Sequence, residues 1–270
     1  MEPQRTPVDQ PKTLQVADDL RLQIERGDLA PGDSLPTIAD LSARWGYSVN
    51  VVRDAFELLK AQGLVSGGRG RPAKVRVPLR RIVRSADRHQ EEKDQVLLNE
   101  EERRGSGAAE TDLGVQLDQL QFTATYEEIR ADVALAEAFG IDEGAKLLQR
   151  VYETTDPATR QRQSWSVSYL PLDLISGNAA LLDSANEPWP GGTQHQLHTV
   201  GVEVVRVVDE VAATMPTTVD LKLWGMEKGV PLLKVRRISL DATDRVVEIS
   251  DADYPADRTE LRFTIPLTKW

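Results

Sequence analysis

The sequence predicts an α+β protein of two domains, one mostly helical and one built on a mainly antiparallel sheet. Three observations predict it. Helical periodicity runs to about Gln62 and then gives way to a short hairpin pattern. From about residue 122 onward, alternating apolar runs are interleaved with short helical stretches. The charge also changes sign along the chain: Thr37 to Arg84 carries ten Lys/Arg against three acids, inside a chain of net charge −10. The expected boundaries are 10–78 for the first domain, 79–121 for a linker and 122–269 for the second.

In the first domain, Leu14, Val16/Ala17, Leu20 and Ile24 recur at spacings of three and four, which is the apolar stripe of an amphipathic helix over 13–26. Gly27 stops it, and Ala30-Pro31-Gly32-Asp33 makes a turn that no helix can cross. Thr37 is an expected N-cap, with Asp40 completing a weaker capping box. The short helix that follows, Ile38 to Trp45, breaks at Gly46-Tyr47, and Ser48 caps a longer helix that buries Val52, Ala55/Phe56 and Leu59. Two helices around a short glycine turn are a helix-turn-helix. A Leu64-Val65 strand, a Gly/Arg turn over Ser66–Pro72 and a return strand at Lys74–Val77 add a wing, so a winged helix-turn-helix is expected.

The linker is basic at Arg80–Arg84, charged and helical over Gln90–Glu102, and small-residue-rich around Gly105–Ala109. In the second domain a helix is expected over Glu127–Phe139, closed by Gly140, and another over Leu172–Ser184, followed by an Asn186–Gly192 loop. Strands are expected at Lys146–Thr154, Trp165–Leu170, Val202–Ala213, Leu232–Leu240, Val246–Tyr254 and Leu261–Leu267, with a helix at Thr217–Trp224. Runs such as Val202–Val208 fit an antiparallel sheet with helices on one face.

Composition narrows the function classes. No cysteine is present, which removes disulfides, thiolate metal sites and cysteine nucleophiles. No apolar run approaches the ~18 residues of a membrane span, and Met1–Gln10 lacks the apolar core of a secretory signal, so a cytoplasmic protein without a membrane partner is expected. Neither a nucleophile elbow nor a phosphate-binding Gly-rich loop occurs. His195-Gln-Leu-His198 has ligand spacing for a helix but no nearby acidic or sulfur partner, so neither a metal nor a cofactor is expected. The basic segment inside an acidic chain marks a local anion-binding face.

The stretch Gly27-Asp-Leu-Ala-Pro31-Gly32-Asp-Ser-Leu35-Pro36, with Ala55-Phe-Glu-Leu-Leu59-Lys-Ala-Gln-Gly63-Leu64, resembles the GntR family of winged-helix regulators over roughly the first 78 residues. The C-terminal half is similar to the UTRA ligand-sensing domain of that family's HutC branch. The motifs carrying this are Ser168-Tyr169-Leu170-Pro171, Gly229-Val-Pro231 through Arg237, and Val247-Glu248-Ile-Ser250 through Tyr254-Pro-Ala-Asp257-Arg258. The resemblance implies a chorismate lyase-like α+β sensor, a homodimer and a small-molecule effector. It departs from the family at two DNA-reading positions, where Val49 and Ala39 stand in place of the usual basic residues.

A recognition helix puts its first turn on base edges in the major groove. Thr37, Ser48, Asn50 and Arg53 are therefore candidate contacts to double-stranded operator DNA, Asn suiting adenine and Arg guanine. Ser48 is also read as a plain N-cap, and Arg53 as one half of an i,i+4 pair with Glu57. Arg69, Gly70 and Arg71 in the wing are candidate minor-groove or phosphate contacts, against the plainer reading of a solvated turn. For the effector, the resemblance points to Arg150, Ser168, Glu248 and Tyr254. The alternative has Glu248 pairing with Arg236 or Arg237 and Tyr254 filling core. Arg150-Val-Tyr152 replaces the Arg-x-Arg of members that bind sugar phosphates, and Ser166 stands where an acid is common, which argues against such a ligand. The expected function is a transcriptional repressor released or engaged by an effector. The alternatives are an effector-independent plasmid- or transfer-type regulator and a lyase-like enzyme.

Overall fold

The computed structural model describes residues 10–67, 72–79, 81–104 and 120–267. The chain divides into two compact units, Met1–Arg80 with Met226–Val230, and Arg81–Gly225 with Pro231–Trp270. Among the described residues no helix is long and apolar enough to cross a membrane.

The first unit holds α1 (Lys12–Arg26), α2 (Ile38–Trp45) and α3 (Val49–Ala61), then β1 (Val65–Ser66) paired antiparallel with β2 (Lys74–Val75). The helix boundaries follow the cap chemistry. Gly27 closes α1 at φ 82° and Gly46 closes α2 at φ 65°, left-handed conformations that cost glycine nothing. Thr37 Oγ1 accepts the Asp40 N–H at 3.1 Å to open α2, and Ser48 Oγ accepts the Val51 N–H at 3.4 Å to open α3. The three helices close on one core of Val16, Leu20, Leu41, Val52, Phe56 and Leu59, to which the hairpin adds Val65 and Val75. Burying each such side chain contributes roughly 1.5–3 kcal/mol. Tyr47, in the turn between α2 and α3, donates its hydroxyl to Gln15 Oε1 at 2.7 Å and so fixes that turn against α1.

The second unit is a six-stranded antiparallel sheet in the order β4-β5-β6-β9-β8-β7. Its strands are β4 (Gln121–Arg130), β5 (Lys146–Thr155), β6 (Arg162–Pro171), β7 (Arg206–Thr214), β8 (Leu232–Leu240) and β9 (Val246–Pro255). A separate parallel pair joins β3 (Ile82–Ser85) to β10 (Thr259–Arg262). The helices are α4 (Arg88–Gln95), α5 (Glu100–Arg103), α6 (Val133–Phe139), α7 (Leu172–Ile175), α8 (Gly192–His198) and α9 (Thr218–Leu223). Helices cover both faces of the sheet, not one. Phe139 of α6 packs with Leu147 and Ile249, whereas Ile175 and Leu197, from α7 and α8, pack with Leu148 and Leu170. Leu147 and Leu148 are neighbours on one strand and point to opposite faces.

Several expected elements differ. The helix expected over Glu127–Phe139 is a strand through Arg130 and a helix only from Val133, capped by Asp132, whose Oδ1 accepts the Leu135 N–H at 2.8 Å. Phe122, Ala124 and Tyr126 alternate with exposed threonines, and ten register partners on β5 outweigh the helical preference of Glu127-Glu128. Leu172–Ser184 is α7 followed by 3₁₀ turns at Ala179–Leu182 and Ser184–Asn186, because Gly177-Asn178 interrupts it. The strand expected over Leu261–Leu267 is confined to Thr259–Arg262, and β7 starts at Arg206, not Val202. The stretch expected as a linker supplies β3, α4 and α5, which belong with the second unit.

Candidate DNA-reading helix and ligand cavity

In the first unit, Thr37, Ser48, Asn50 and Arg53 are all exposed. Thr37 and Ser48 are N-caps, and the Thr37 hydroxyl also donates to Asp40 Oδ2 at 2.7 Å. Arg53 Nη1 donates to Asn50 Oδ1 at 3.0 Å, one helical turn back. Glu57, the alternative partner, is taken instead by Lys60 Nζ at 2.7 Å. The first turn of α3 therefore presents an amide and a guanidinium side by side, the two groups suited to adenine and guanine edges. Val49 beside them is 45% exposed, an apolar surface in the same turn. The wing candidates Arg69, Gly70 and Arg71 lie outside the described residues.

In the second unit, strand pairing lines up one polar rung across the entire sheet. Tyr126 faces Arg150, Arg150 faces Ser168, Ser168 faces Ser250, Ser250 faces Arg237, and Arg237 faces Asp209. Because side chains alternate along a strand, these six share one face. Arg150 is its centre and is only 1% exposed. Its guanidinium donates to Gln196 Oε1 at 2.5 Å, Ser168 Oγ at 2.8 Å, Glu248 Oε1 at 2.9 Å and Thr193 Oγ1 at 3.2 Å. Ser168 in turn donates to Glu248 at 2.6 Å. Burial alone would lower the pKa of Arg150, but nearby Tyr152, Glu248, Tyr126 and Glu187 hold it above the ordinary value. Tyr126 and Tyr152 both donate to Glu187, and burial pushes Tyr126 up to about 12.

At the other end of the rung, Arg237 Nε donates to Asp209 Oδ1 at 3.1 Å, and His89 Nε2 lies 3.4 Å from the second carboxylate oxygen. Burial lowers the His89 pKa, favouring the neutral ring. Burial opposes the charge on Asp209, yet the hydrogen bonds and charge of its partners keep its carboxyl well below the usual range. The hydrogen bond with His89 is the largest of these, followed by the charge and the hydrogen bond of Arg237.

A cavity of about 200 Å³ opens above this rung. Its floor is sheet (Tyr152, Ser166, Ser168, Arg237, Ser239, Glu248, Ser250) and one wall is the Gly191–Gln194 turn at the start of α8. Beside that turn, α4 lines the cavity through His89, Glu92 and Gln95. Helix α4 is fastened to the unit by Lys93 Nζ donating to the Val204 carbonyl at 2.8 Å, by Gln194 Nε2 donating to the His89 carbonyl at 2.8 Å, and by the Gln194 N–H donating to Glu92 at 3.1 Å.

The structure thus gathers Arg150, Ser168 and Glu248 at one point. Tyr254 is elsewhere: it lies on the same face of β9 but is buried with Val235 and Ala252, under the Arg84 guanidinium at 4.1 Å from its ring centroid. Glu248 pairs with Arg150; Arg236 is held by Asp251, 2.7 Å away, and Arg237 by Asp209. The sequence reading missed Thr193, Gln196, Glu187 and the α4 wall. A usable signal was present in β6, where Ser164, Ser166 and Ser168 alternate with Trp165 and Val167 and mark one polar face. His195 Nδ1 accepts from Trp189 Nε1 at 2.9 Å, and among the described residues no His/Asp/Glu group is arranged to hold a metal ion.

A capped helix-turn-helix with a paired strand behind it, followed in the chain by an α+β unit, is the architecture of a class of DNA-binding transcriptional regulators. The comparisons agree. The family described as "Bacterial regulatory proteins, gntR family" matches residues 12–75, and the UTRA domain matches 123–260. The chain belongs to the GntR family, in the group that carries a UTRA domain. It is 26% identical to an HTH-type transcriptional regulator of Streptomyces coelicolor over 89% of this chain and 87% of that one. It is 27% identical to the transcriptional repressor PhnF of Mycolicibacterium smegmatis over 49% of this chain and 52% of that one. A crystal structure of a GntR-family transcriptional regulator superposes with TM-score 0.70 at 27% identity, covering 96% of this chain and 99% of the other.

Proposed function

We propose that the chain is a cytoplasmic transcriptional repressor that binds double-stranded operator DNA as a homodimer and whose grip is set by a small molecule in the second unit. On the DNA side, Asn50 and Arg53 read base edges, and Thr37, Ser48, Arg69, Gly70 and Arg71 position the unit on the backbone and minor groove. A dimer would meet two half-sites about one helical turn, ~34 Å, apart. On the sensor side, Arg150, Ser168 and Glu248 form the rigid floor of the effector site, and Tyr254 supports it from the neighbouring core. The observation that carries this reading is the cavity above a buried ion pair: a preformed concave site with convergent polar groups is the usual geometry of a ligand pocket. The name of PhnF as a repressor supports the sign of regulation.

The test is a fluorescence-anisotropy titration against the DNA upstream of the chain's own gene across a salt series. Arg53→Ala should weaken binding about 10- to 100-fold, as loss of a guanine contact would. A small-molecule extract of the source cells should shift the wild-type curve. It should leave Ser250→Trp, with the cavity filled, unmoved. Wild-type-like affinity in Arg53→Ala would remove the DNA assignment. An extract acting equally on Ser250→Trp would remove the cavity as the effector site.

A further inference from the structure

Besides Tyr152, whose hydroxyl donates to Glu187, the cavity walls carry four charged or ionisable side chains, His89, Glu92, Arg237 and Glu248. Three of them are committed. Glu248 holds Arg150 at 2.9 Å, with Ser168 on the same oxygen and Ser239 3.4 Å from the other. Arg237 and His89 both rest on Asp209. Glu92 differs: its one polar contact is the Gln194 N–H at 3.1 Å, and among the described residues no cation lies within ion-pair distance. Gly192 lets it come so close. A Cβ there would sit 2.6 Å from Glu92 Oε1. Burial, aided by the charge of Glu248, raises the Glu92 carboxyl above the ordinary carboxylate range, against the opposing pull of the Gln194 N–H and of the charges on Arg237 and Arg88. Two hydroxyls, those of Ser166 and Ser250, line the same space and make no side-chain hydrogen bond among the described residues.

An anionic ligand would have to win Arg237 or His89 from Asp209, or Arg150 from Glu248. A cation meets an acid already waiting. From this accounting we propose that the cavity takes a small hydroxylated amine, its ammonium group against the Glu92 carboxylate and its hydroxyls on Ser166 and Ser250. This rests on the reading of the cavity as the effector site. Because Glu92 stands on α4, the ligand would bridge α4 to the sheet and add to the hydrogen bonds and the Lys93–Glu203 ion pair that already hold that wall.

The test is isothermal titration calorimetry on the full chain with three matched probes: glucamine, sorbitol and sorbitol 6-phosphate. They share a hydroxylated six-carbon frame and carry, at a terminal carbon, a positive charge, no charge and a negative charge. Glucamine should bind at least about tenfold more tightly than either of the others, the usual gain from a charge-assisted hydrogen bond. Glu92→Gln, which keeps an oxygen for the Gln194 N–H, should erase that preference while melting like the wild type. Preference for the phosphate, or glucamine binding unaffected by Glu92→Gln, would overturn the amine assignment and leave the cavity as the effector site. Failure of all three probes would also overturn it. In that case the extract titration on wild type and Ser250→Trp tells whether the effector site falls with it.

Discussion

Glu248→Gln tests whether the sensor floor is held by the ion pair at its centre. The substitution keeps shape and removes the charge facing a guanidinium that is 1% exposed, with the Glu248 side chain itself 9% exposed. Gln196, Ser168 and Thr193 remain on Arg150, so its two terminal nitrogens keep neutral partners and lose only the compensating charge. Removing one member of a buried pair costs about 3–5 kcal/mol, mostly the penalty of the charge left behind. In a unit of this size each kcal/mol moves the melting point by about 2–4 °C, so the second unit should melt about 6–20 °C lower. Differential scanning calorimetry, with urea unfolding followed by circular dichroism, measures both quantities. Joint replacement Arg150→Met with Glu248→Leu should recover most of the loss, because it leaves no charge to bury. A destabilisation under about 1 kcal/mol for Glu248→Gln, or a double variant as unstable as the sum of the two singles, would show that the pair is not what holds the floor.

The helix-turn-helix rests on its caps: Ser48→Ala should cost about 1 kcal/mol of first-unit stability in a denaturant titration, with Ser48→Gly costing less. Leu20, fully buried under α3, should cost about 2–5 kcal/mol as Leu20→Ala by the same measurement. Asp209 has a depressed folded pKa, so its stabilisation is complete above its unfolded value of about 3.8 and is lost as pH falls below it. The gap in melting temperature between wild type and Asp209→Asn should accordingly be wide at pH 7 and narrow below pH 4. His89, also lowered, adds a separate loss as pH falls below about 6.5, which His89→Gln should abolish in the same pH series.

The first unit was legible because its signals are local. Thr37 and Ser48 cap the helices the sequence assigns to them, and Gly27 and Gly46 end the preceding ones in left-handed geometry that side-chain-bearing residues resist. In the second unit, β8 and the start of β5 fall where apolar alternation places them. The failures are non-local. Glu127-Glu128 favours a helix in isolation, and only the full-length partner β5 makes it a strand. Helix α4 has the composition of a solvated linker, with no apolar side chain, and nothing in its own sequence says that His89 and Glu92 face a cavity. Of the expected effector residues, Arg150, Ser168 and Glu248 converge because the strand register aligns them. Tyr254 shares their face, but two rungs further along it meets Arg84 and an apolar cluster. Register is set by the whole sheet, so single-strand periodicity could name the face and not the rung.

The parallel pairing of β3 with β10 also orders events in time. Ile82 lies opposite Thr259, 177 positions later, so the segment following the helix-turn-helix has no strand partner until the sheet has been made. At ribosomal speeds of about 5–20 residues per second, that is a wait of roughly 10–35 s. The first unit, whose contacts are all local apart from Met226–Val230, can fold and meet DNA in that interval while its tether is still loose. The DNA-reading helix could thus be in place before the second unit is complete. The arrival of Thr259–Arg262 is the step that closes β3 onto its partner.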